Sequence, residues 1–262
     1  MRVPAPTQRF SSFDGTAIAY YDSGPRHDAR AVVLHHGFAS SAFVNWHRPG
    51  IVDALVAAGR RVVTFDVRGH GASEHPHDPA SYGNGALRKD VTALADFLGL
   101  KEADLGGYSL GSFVALEVAI SDRRVSSLFL GGVGTGQSRY TGTASRSAVV
   151  RALESDDAGE IAASGAAAYR SFADALGQDR FALAALQRGF EGFCPERARQ
   201  VKVRADVVNG ERDELVGDPC SLAQLMDDAR CAVVPGDHMS AVTRPEFLAA
   251  LVEWASRETP KR

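Results

Sequence analysis

Residues 104–120 constrain this chain more than any other stretch. Apolar and β-compatible residues lead into Gly107-Tyr108-Ser109-Leu110-Gly111. Residues 112–120, Ser-Phe-Val-Ala-Leu-Glu-Val-Ala-Ile, read as a helix leading out. A strand, a tight turn and a helix with serine at the apex form the setting in which Gly-x-Ser-x-Gly presents a nucleophile. The glycines have a steric purpose. A residue at such a turn is held in a strained backbone conformation, and side chains on its flanks would collide with the adjoining helix and strand. The turn also leaves the Leu110 N–H at a helix N-terminus, where a developing anion is stabilised. Five residues carry little information in a chain with 26 glycines, so the meaning of Ser109 depends on partners elsewhere.

The surrounding rhythm is strand and helix in alternation. Residues 10–22 read as a hairpin, with Asp14-Gly15 as its turn. Residues 31–35 are a short apolar run rich in β-branched residues, as expected for a buried strand, and residues 61–65 and 125–130 read as further strands. Residues 51–58 and 86–98 carry apolar side chains at helical spacing, and Gly59 stops the first. Alternation of this kind implies a parallel sheet with helices on both faces and right-handed crossovers. Ligands bind such sheets beyond the carboxyl ends of the strands, where His36, Asp66, Ser109 and Gly132 all fall. From residue 134 to 200 the strands stop. Alanine-rich helical stretches at 147–154, 160–176 and 180–189 suggest an all-helical insertion over that rim. Residues 205–209 and 230–234 then resume as strands, with helices expected at 219–228 and 245–256. The expected organisation is an α/β core of residues 1–133 and 201–262 and a helical cap of residues 134–200.

A serine hydroxyl needs a base in reach, and the base needs an acid to fix its tautomer. Two residues occupy fitting slots: Asp213 just past the strand at 205–209, and His238 just past the final strand. Asp213 competes with Asp218 and with Asp237, whose adjacency to His238 turns its side chain elsewhere. The order Ser109, Asp213, His238 is that of the α/β-hydrolases. The chain resembles that superfamily over residues 10–257, in a serine-nucleophile, capped, esterase-like form. It carries His36-Gly37-Phe38, Asp66-x-Arg68-Gly69-His70-Gly71-x-Ser73, Gly107-x-Ser109-x-Gly111, Gly210-x-x-Asp213 and Gly236-x-His238 in order at strand ends.

The resemblance implies an α/β-hydrolase fold: a mostly parallel twisted sheet, helices on both faces and a helical cap. It implies Ser109 as nucleophile, His238 as general base and then acid, and Asp213 as orienting carboxylate. The oxyanion hole would be the backbone N–H groups of Phe38 and Leu110. His36 is expected to buttress the oxyanion loop, and residues 66–73 to form a structural turn. His70 is therefore not the base, and His35 has no assigned role. Ser112 stands where many relatives have glycine, and a serine there can bond locally.

The implied reaction is hydrolysis of a small to medium carboxylic ester, lactone or thioester through an acyl-enzyme. A carbon–carbon bond hydrolase of ring-cleavage products, or a perhydrolase, could use the same three residues. A ligand receptor of this fold is the non-enzyme alternative, which the complete set of three disfavours. Arg139, Arg146, Arg151, Arg170 and Arg188 lie in or near the cap, where a carbon–carbon hydrolase would hold a substrate carboxylate. Aspartate-nucleophile reactions of this fold do not suit Ser109.

Composition narrows partners and location. The 262 residues are 45% hydrophobic and 23% charged, with net charge −3. No basic stripe suggests nucleic acid, and no polybasic segment or run of about 20 apolar residues suggests a membrane. The expected partner is a small-molecule acyl substrate, with oligomeric state open. No metal or organic cofactor motif is present. Residues 1–10 do not resemble a secretory signal. Three cysteines, Cys194, Cys220 and Cys231, odd in number and without metal spacing, point to a reduced cytoplasmic protein.

Overall fold

The computed structural model describes residues 8–26, 30–139 and 142–257. The strands are β1 (Gln8–Ser11), β2 (Ala17–Ser23), β3 (Arg30–His35), β4 (Val62–Phe65), β5 (Glu102–Tyr108), β6 (Val125–Gly131), β7 (Arg204–Gly210) and β8 (Ala229–Val234). They form one sheet in the order β1-β2-β4-β3-β5-β6-β7-β8. β2 pairs antiparallel with β1 and β4, and every later pairing is parallel. This is the α/β-hydrolase fold, a mostly parallel sheet flanked by helices.

Both faces of the sheet are covered, which is why its strands are mostly apolar, with polar exceptions at Asp104 in β5 and at Asp206 and Asn209 in β7. Val33, Leu105, Leu128 and Val207 pack on one side with α2 (Ala86–Phe97) and α3 (Leu110–Ser121). Val32, Leu34, Phe129 and Val208 pack on the other with α1 (Ile51–Ala57) and α8 (Pro245–Ser256). Neighbouring residues on one strand thus serve opposite cores. From β3 the chain goes to β4 on one side and later to β5 on the other. The order reverses between β3 and β5, where His35 lies in register with Gly107. The crevice beyond such a reversal is where α/β sheets take ligands.

Between β6 and β7 the described residues contain helices and no strand: α4 (Thr143–Glu154), α5 (Ala158–Ala163), α6 (Ala167–Ala175) and α7 (Arg180–Gly189). The single helix expected over 160–176 is two. Gly165, at φ 73°, turns the chain left-handed between them, and Ser164 Oγ accepts the Ala166 N–H. These helices share a small core of Val149, Val150, Leu153, Ala173, Leu183 and Ala184.

Two expectations need correction. Residues 219–228 form no α-helix, only a short 3₁₀ turn at Ala223–Leu225. Tertiary ties hold the segment as turns: Asn209 Nδ2 donates to the Pro219 carbonyl and Ser221 Oγ accepts the Thr135 N–H. The second correction concerns a further tie on this segment, a disulfide between Cys220 and Cys231, with Cα atoms 5.5 Å apart. These two cysteines are not the free thiols from which a reduced protein was inferred; Cys194 remains a free thiol, exposed. Among the described residues no helix is long and apolar enough to cross a membrane.

Candidate active site

Ser109 sits between β5 and α3 at φ 53° and ψ −116°. Its glycine neighbours are there for want of space. A Cβ on Gly107 would strike the Gly111 carbonyl, and one on Gly111 would strike the carbonyl of His35 on the adjacent strand. The elbow is fastened to β6, whose Gly131 carbonyl accepts both the Ser109 N–H and the Ser112 hydroxyl, each at 2.8 Å. Ser112 therefore bonds across to the sheet rather than locally. Ala39, Asn84 and Ser109 are non-glycine residues with positive φ. Two of these three lie at this site, Ser109 at the elbow and Ala39 beside Phe38, and strain of this kind gathers where geometry is imposed.

The loops after β7 and β8 fold back together. The Glu211 N–H donates to the Val234 carbonyl and the Arg212 N–H to that of Gly236. This brings Asp213 and His238 to Ser109. His238 Nδ1 lies 2.7 Å from Asp213 Oδ2, and its Nε2 lies 2.9 Å from Ser109 Oγ. Asp213 is fully buried, while the His238 side chain is 16% exposed and so reachable from outside. A carboxylate only accepts hydrogen bonds, so Nδ1 carries the ring proton and Nε2 is left to accept from the serine hydroxyl. The other Asp213 oxygen takes the Leu215 N–H at 3.1 Å. The competing aspartates are engaged elsewhere. Asp237 binds the N–H groups of Met239 and Ser240, and Asp218 that of Cys220.

Leu110 follows Ser109 directly, and Gly37, which precedes Phe38, approaches it, so that a Cβ on Gly37 would lie 3.5 Å from the Ser109 Cβ. Leu110 opens α3, so its N–H belongs to the first turn, where no earlier helical carbonyl is available. The Phe38 loop is clamped on both sides. Asn45 Oδ1 takes the Gly37 N–H at 2.8 Å, and His70 Nε2 takes the Ala39 N–H at 3.0 Å. His36 Nε2 takes the Val67 N–H, leaving Nδ1 to donate to the Gly37 carbonyl at 2.8 Å. His36 and His70 are thus neutral acceptors and donors inside the scaffold. Burial pushes His36 well below the ordinary histidine range, helped by the His70 and His35 imidazoles, and pushes His70 down to about 3. His35, also buried, is pushed down to about 4, and its Nδ1 meets the His36 carbonyl.

Asp66 works the same way as a structural hub. Its carboxylate accepts the Ala42 and Ala72 N–H groups, each at 2.9 Å, and burial raises its pKa. A Cβ on Gly71 would collide with that carboxylate. Arg68, with no exposed side-chain surface, pairs with Asp90 and Asp14.

The helical insertion meets the site at two places. Ala39 is buried in the insertion's own core, and the Phe38 and Tyr169 rings meet edge to face at 6.0 Å. Gln178 donates to the Ser40 carbonyl and accepts the Gly71 N–H, each at 3.1 Å. Asn45, Tyr108 and Gln178 escape sequence reasoning because each acts through a nonlocal contact that no spacing announces. A cleft of about 780 Å³ lies between α2, α3 and residues 190–197, lined by Arg88, Phe113 and Phe193 among others. It touches none of Ser109, Asp213 and His238, and it is the hydrogen-bonded group that identifies the site. Among the described residues no three His, Cys, Asp or Glu side chains assemble as a metal site.

Comparison with known proteins agrees with this architecture. A family model described as alpha/beta hydrolase fold matches residues 30–140. A non-heme chloroperoxidase of Streptomyces lividans is 41% identical over 101 residues, covering 37% of this chain and 33% of that protein. The chain thus spans about a third of that relative's length. The esterase RhEst1 from Rhodococcus sp. ECU1013 superposes with a TM-score of 0.74 at 26% identity, over 95% of this chain and 98% of that one. The enol-lactonase from Burkholderia xenovorans LB400 superposes with a TM-score of 0.71 at 25% identity, over 95% and 100%.

Proposed function

We propose that the chain, which has the α/β-hydrolase fold and matches that family's model over residues 30–140, is a serine hydrolase of small to medium carboxylic esters, lactones or thioesters. The observation that carries this reading is the unbroken hydrogen-bonded line Ser109–His238–Asp213 at the reversal of strand order. Ser109 Oγ attacks the substrate carbonyl as His238 Nε2 takes its proton. Asp213 holds the imidazole in its tautomer and offsets the imidazolium charge. The negative charge on the carbonyl oxygen is met by the Phe38 and Leu110 N–H groups. One such donor is worth about 100-fold to 1000-fold in rate. His238 returns the proton to the leaving alcohol or thiol, and water repeats the cycle on the acyl-enzyme, releasing the acid and restoring Ser109.

Residues 134–200 serve as the cap in this reading, excluding water and shaping the acyl pocket around Phe38 and Tyr169. The carbon–carbon alternative has less support. Of the cap arginines, Arg146 donates to the Phe190 and Gln187 carbonyls, Arg170 pairs with Asp174, and Arg188 pairs with Glu154. Each of the three holds the insertion together rather than waiting for a carboxylate. The test is turnover of p-nitrophenyl acetate and butyrate by the wild type and by Ser109→Ala. Repeated turnover that Ser109→Ala abolishes supports the reading. A folded wild type inert on both esters overturns it, and a ring-cleavage diketone would be tried next.

A further inference from the structure

The residue before the nucleophile is tyrosine, and the structure surrounds it with an unusual amount of accommodation. Tyr108 is 4% exposed. Its ring lies where side chains on Gly131 and Gly132 would otherwise be. A Cβ on either glycine would come within 2.8 Å of the Tyr108 ring. Phe247 closes the slot edge to face at 5.6 Å. From that slot the Tyr108 hydroxyl donates to the backbone carbonyl of His238 at 2.6 Å, and the two rings lie 5.6 Å apart. Burial raises the phenol's pKa, so it stays a donor.

We infer that Tyr108 is a positioning residue for the general base: a rigid strut that sets the distance between His238 Nε2 and Ser109 Oγ. This rests on the proposed function above. The argument is geometric. Ser109 and His238 lie 129 residues apart. The His238 turn is exposed on its outer side, at Asp237 and Met239. A histidine on such a turn needs an inner anchor if its ring is to stay within hydrogen-bond reach of the serine. Asp213 anchors the ring at Nδ1, and the neighbouring backbone is tied at Gly236 by the Arg212 N–H and at Asp237 by the Ala241 N–H. The His238 carbonyl itself is held by Tyr108. Because Tyr108 and Ser109 are consecutive, the strut and the nucleophile move as one body.

The experiment compares the wild type with Tyr108→Phe, which keeps the ring and deletes the hydroxyl. Three readouts are taken: the rate of Ser109 phosphonylation by a fluorophosphonate probe, kcat and KM on p-nitrophenyl butyrate, and the downfield proton resonance of His238 Nδ1. All rates are divided by the folded fraction from near-ultraviolet circular dichroism of the same sample. The expected result is a fall of about 10-fold to 100-fold in normalised phosphonylation and kcat, the cost of misplacing a reacting group by a fraction of an ångström to one. KM should stay within about twofold, because this contact does not touch substrate. The Nδ1 resonance should shift or broaden. A normalised rate equal to wild type, with the resonance unmoved, overturns the inference and leaves Tyr108 as packing alone, even if the variant is less stable. A wild type that the probe fails to label overturns the serine-hydrolase reading itself, a different failure visible before any variant is made.

Discussion

Nε2 of His70 accepts the backbone N–H of Ala39 at 3.0 Å, one residue beyond Phe38. Its Nδ1 faces the Arg68 carbonyl at 3.1 Å. The imidazole therefore works as a fixed bracket under the Phe38 loop, the proposed oxyanion loop. Replacing it by alanine strands a buried donor, at a cost of about 1–3 kcal/mol in stability. It also releases the loop that presents the Phe38 N–H, so kcat on p-nitrophenyl butyrate should fall about tenfold or more while KM changes little. His70→Gln, which can accept and donate in the same directions, should recover part of both losses. Unchanged kcat in a folded His70→Ala protein would separate the bracket from catalysis.

Acid should destabilise the protein from about pH 6.5 downward. His35 and His70 are held by burial at about 4 and about 3, and His36 well below its ordinary value. Below the unfolded histidine pKa the unfolded chain binds protons that these folded sites refuse, so stability falls as pH falls, by about 1.4 kcal/mol per unit per histidine. Above that pKa the contribution is complete. Buried Asp66 and Asp90, shifted upward, contribute the opposite slope. The informative measurement is therefore a difference. Urea unfolding of wild type and His70→Gln between pH 5 and pH 7.5 should show the variant's slope reduced by about one proton, and equal slopes would place His70 in contact with water.

Asp213→Asn tests the tautomer argument. The amide can donate to Nδ1, which reverses the imidazole and points an N–H at Ser109 Oγ. A fall of roughly 10⁴-fold in kcat with near-native unfolding is expected. A fall smaller than about tenfold would mean that the carboxylate does not orient His238.

The two uses of glycine in this chain can be told apart. Gly111→Ala drives a methyl group into the His35 carbonyl, so it should displace the elbow and lose most activity along with about 1–3 kcal/mol of stability. Gly59 sits at φ 80° with open space around it. Gly59→Ala should cost about 1–2 kcal/mol through left-handed strain alone and leave kcat at the wild-type value. Matching kcat losses in both would show that the elbow is not sterically tuned.

Much of the fold is legible in the sequence for a physical reason. β3, β5, β6 and β7 are covered on both faces, so short apolar stretches at 31–34, 128–130 and 207–208 mark three of them, although Asp104, Ser126, Ser127, Asp206 and Asn209 interrupt the pattern. The positions of Ser109, Asp213 and His238 follow, because each lies just past such a strand. What stays hidden is decided by contacts between distant segments. Residues 219–228 have a helix-like start, yet Asn209, Thr135 and Cys231 hold them as turns. Gly165 breaks a helix that alanine content favours. Asn45, on a single π-helical turn at Phe43–His47, and Gln178, between α6 and α7, reach the oxyanion loop without any motif. The pairing of Cys220 with Cys231 depends on how the chain returns from β7 to β8, which spacing alone does not fix.

The strand order has a consequence for how the protein comes to life during synthesis. The elbow can form once β6 has joined β5, but the hydrogen bond from Ser109 to its base spans 129 residues. A nascent chain that has folded only as far as the helical insertion holds Ser109 in place without the His238 imidazole against it. The hydrogen-bonded group of Ser109, His238 and Asp213 assembles only when β7 and β8 add to the open edge and their loops fold back toward Ser109. Such nonlocal strand additions are slow steps in folding. In the proposed serine-hydrolase reading, chains that stall, or are clipped, before the last strand are chemically silent, and ester turnover would report on molecules that have finished folding.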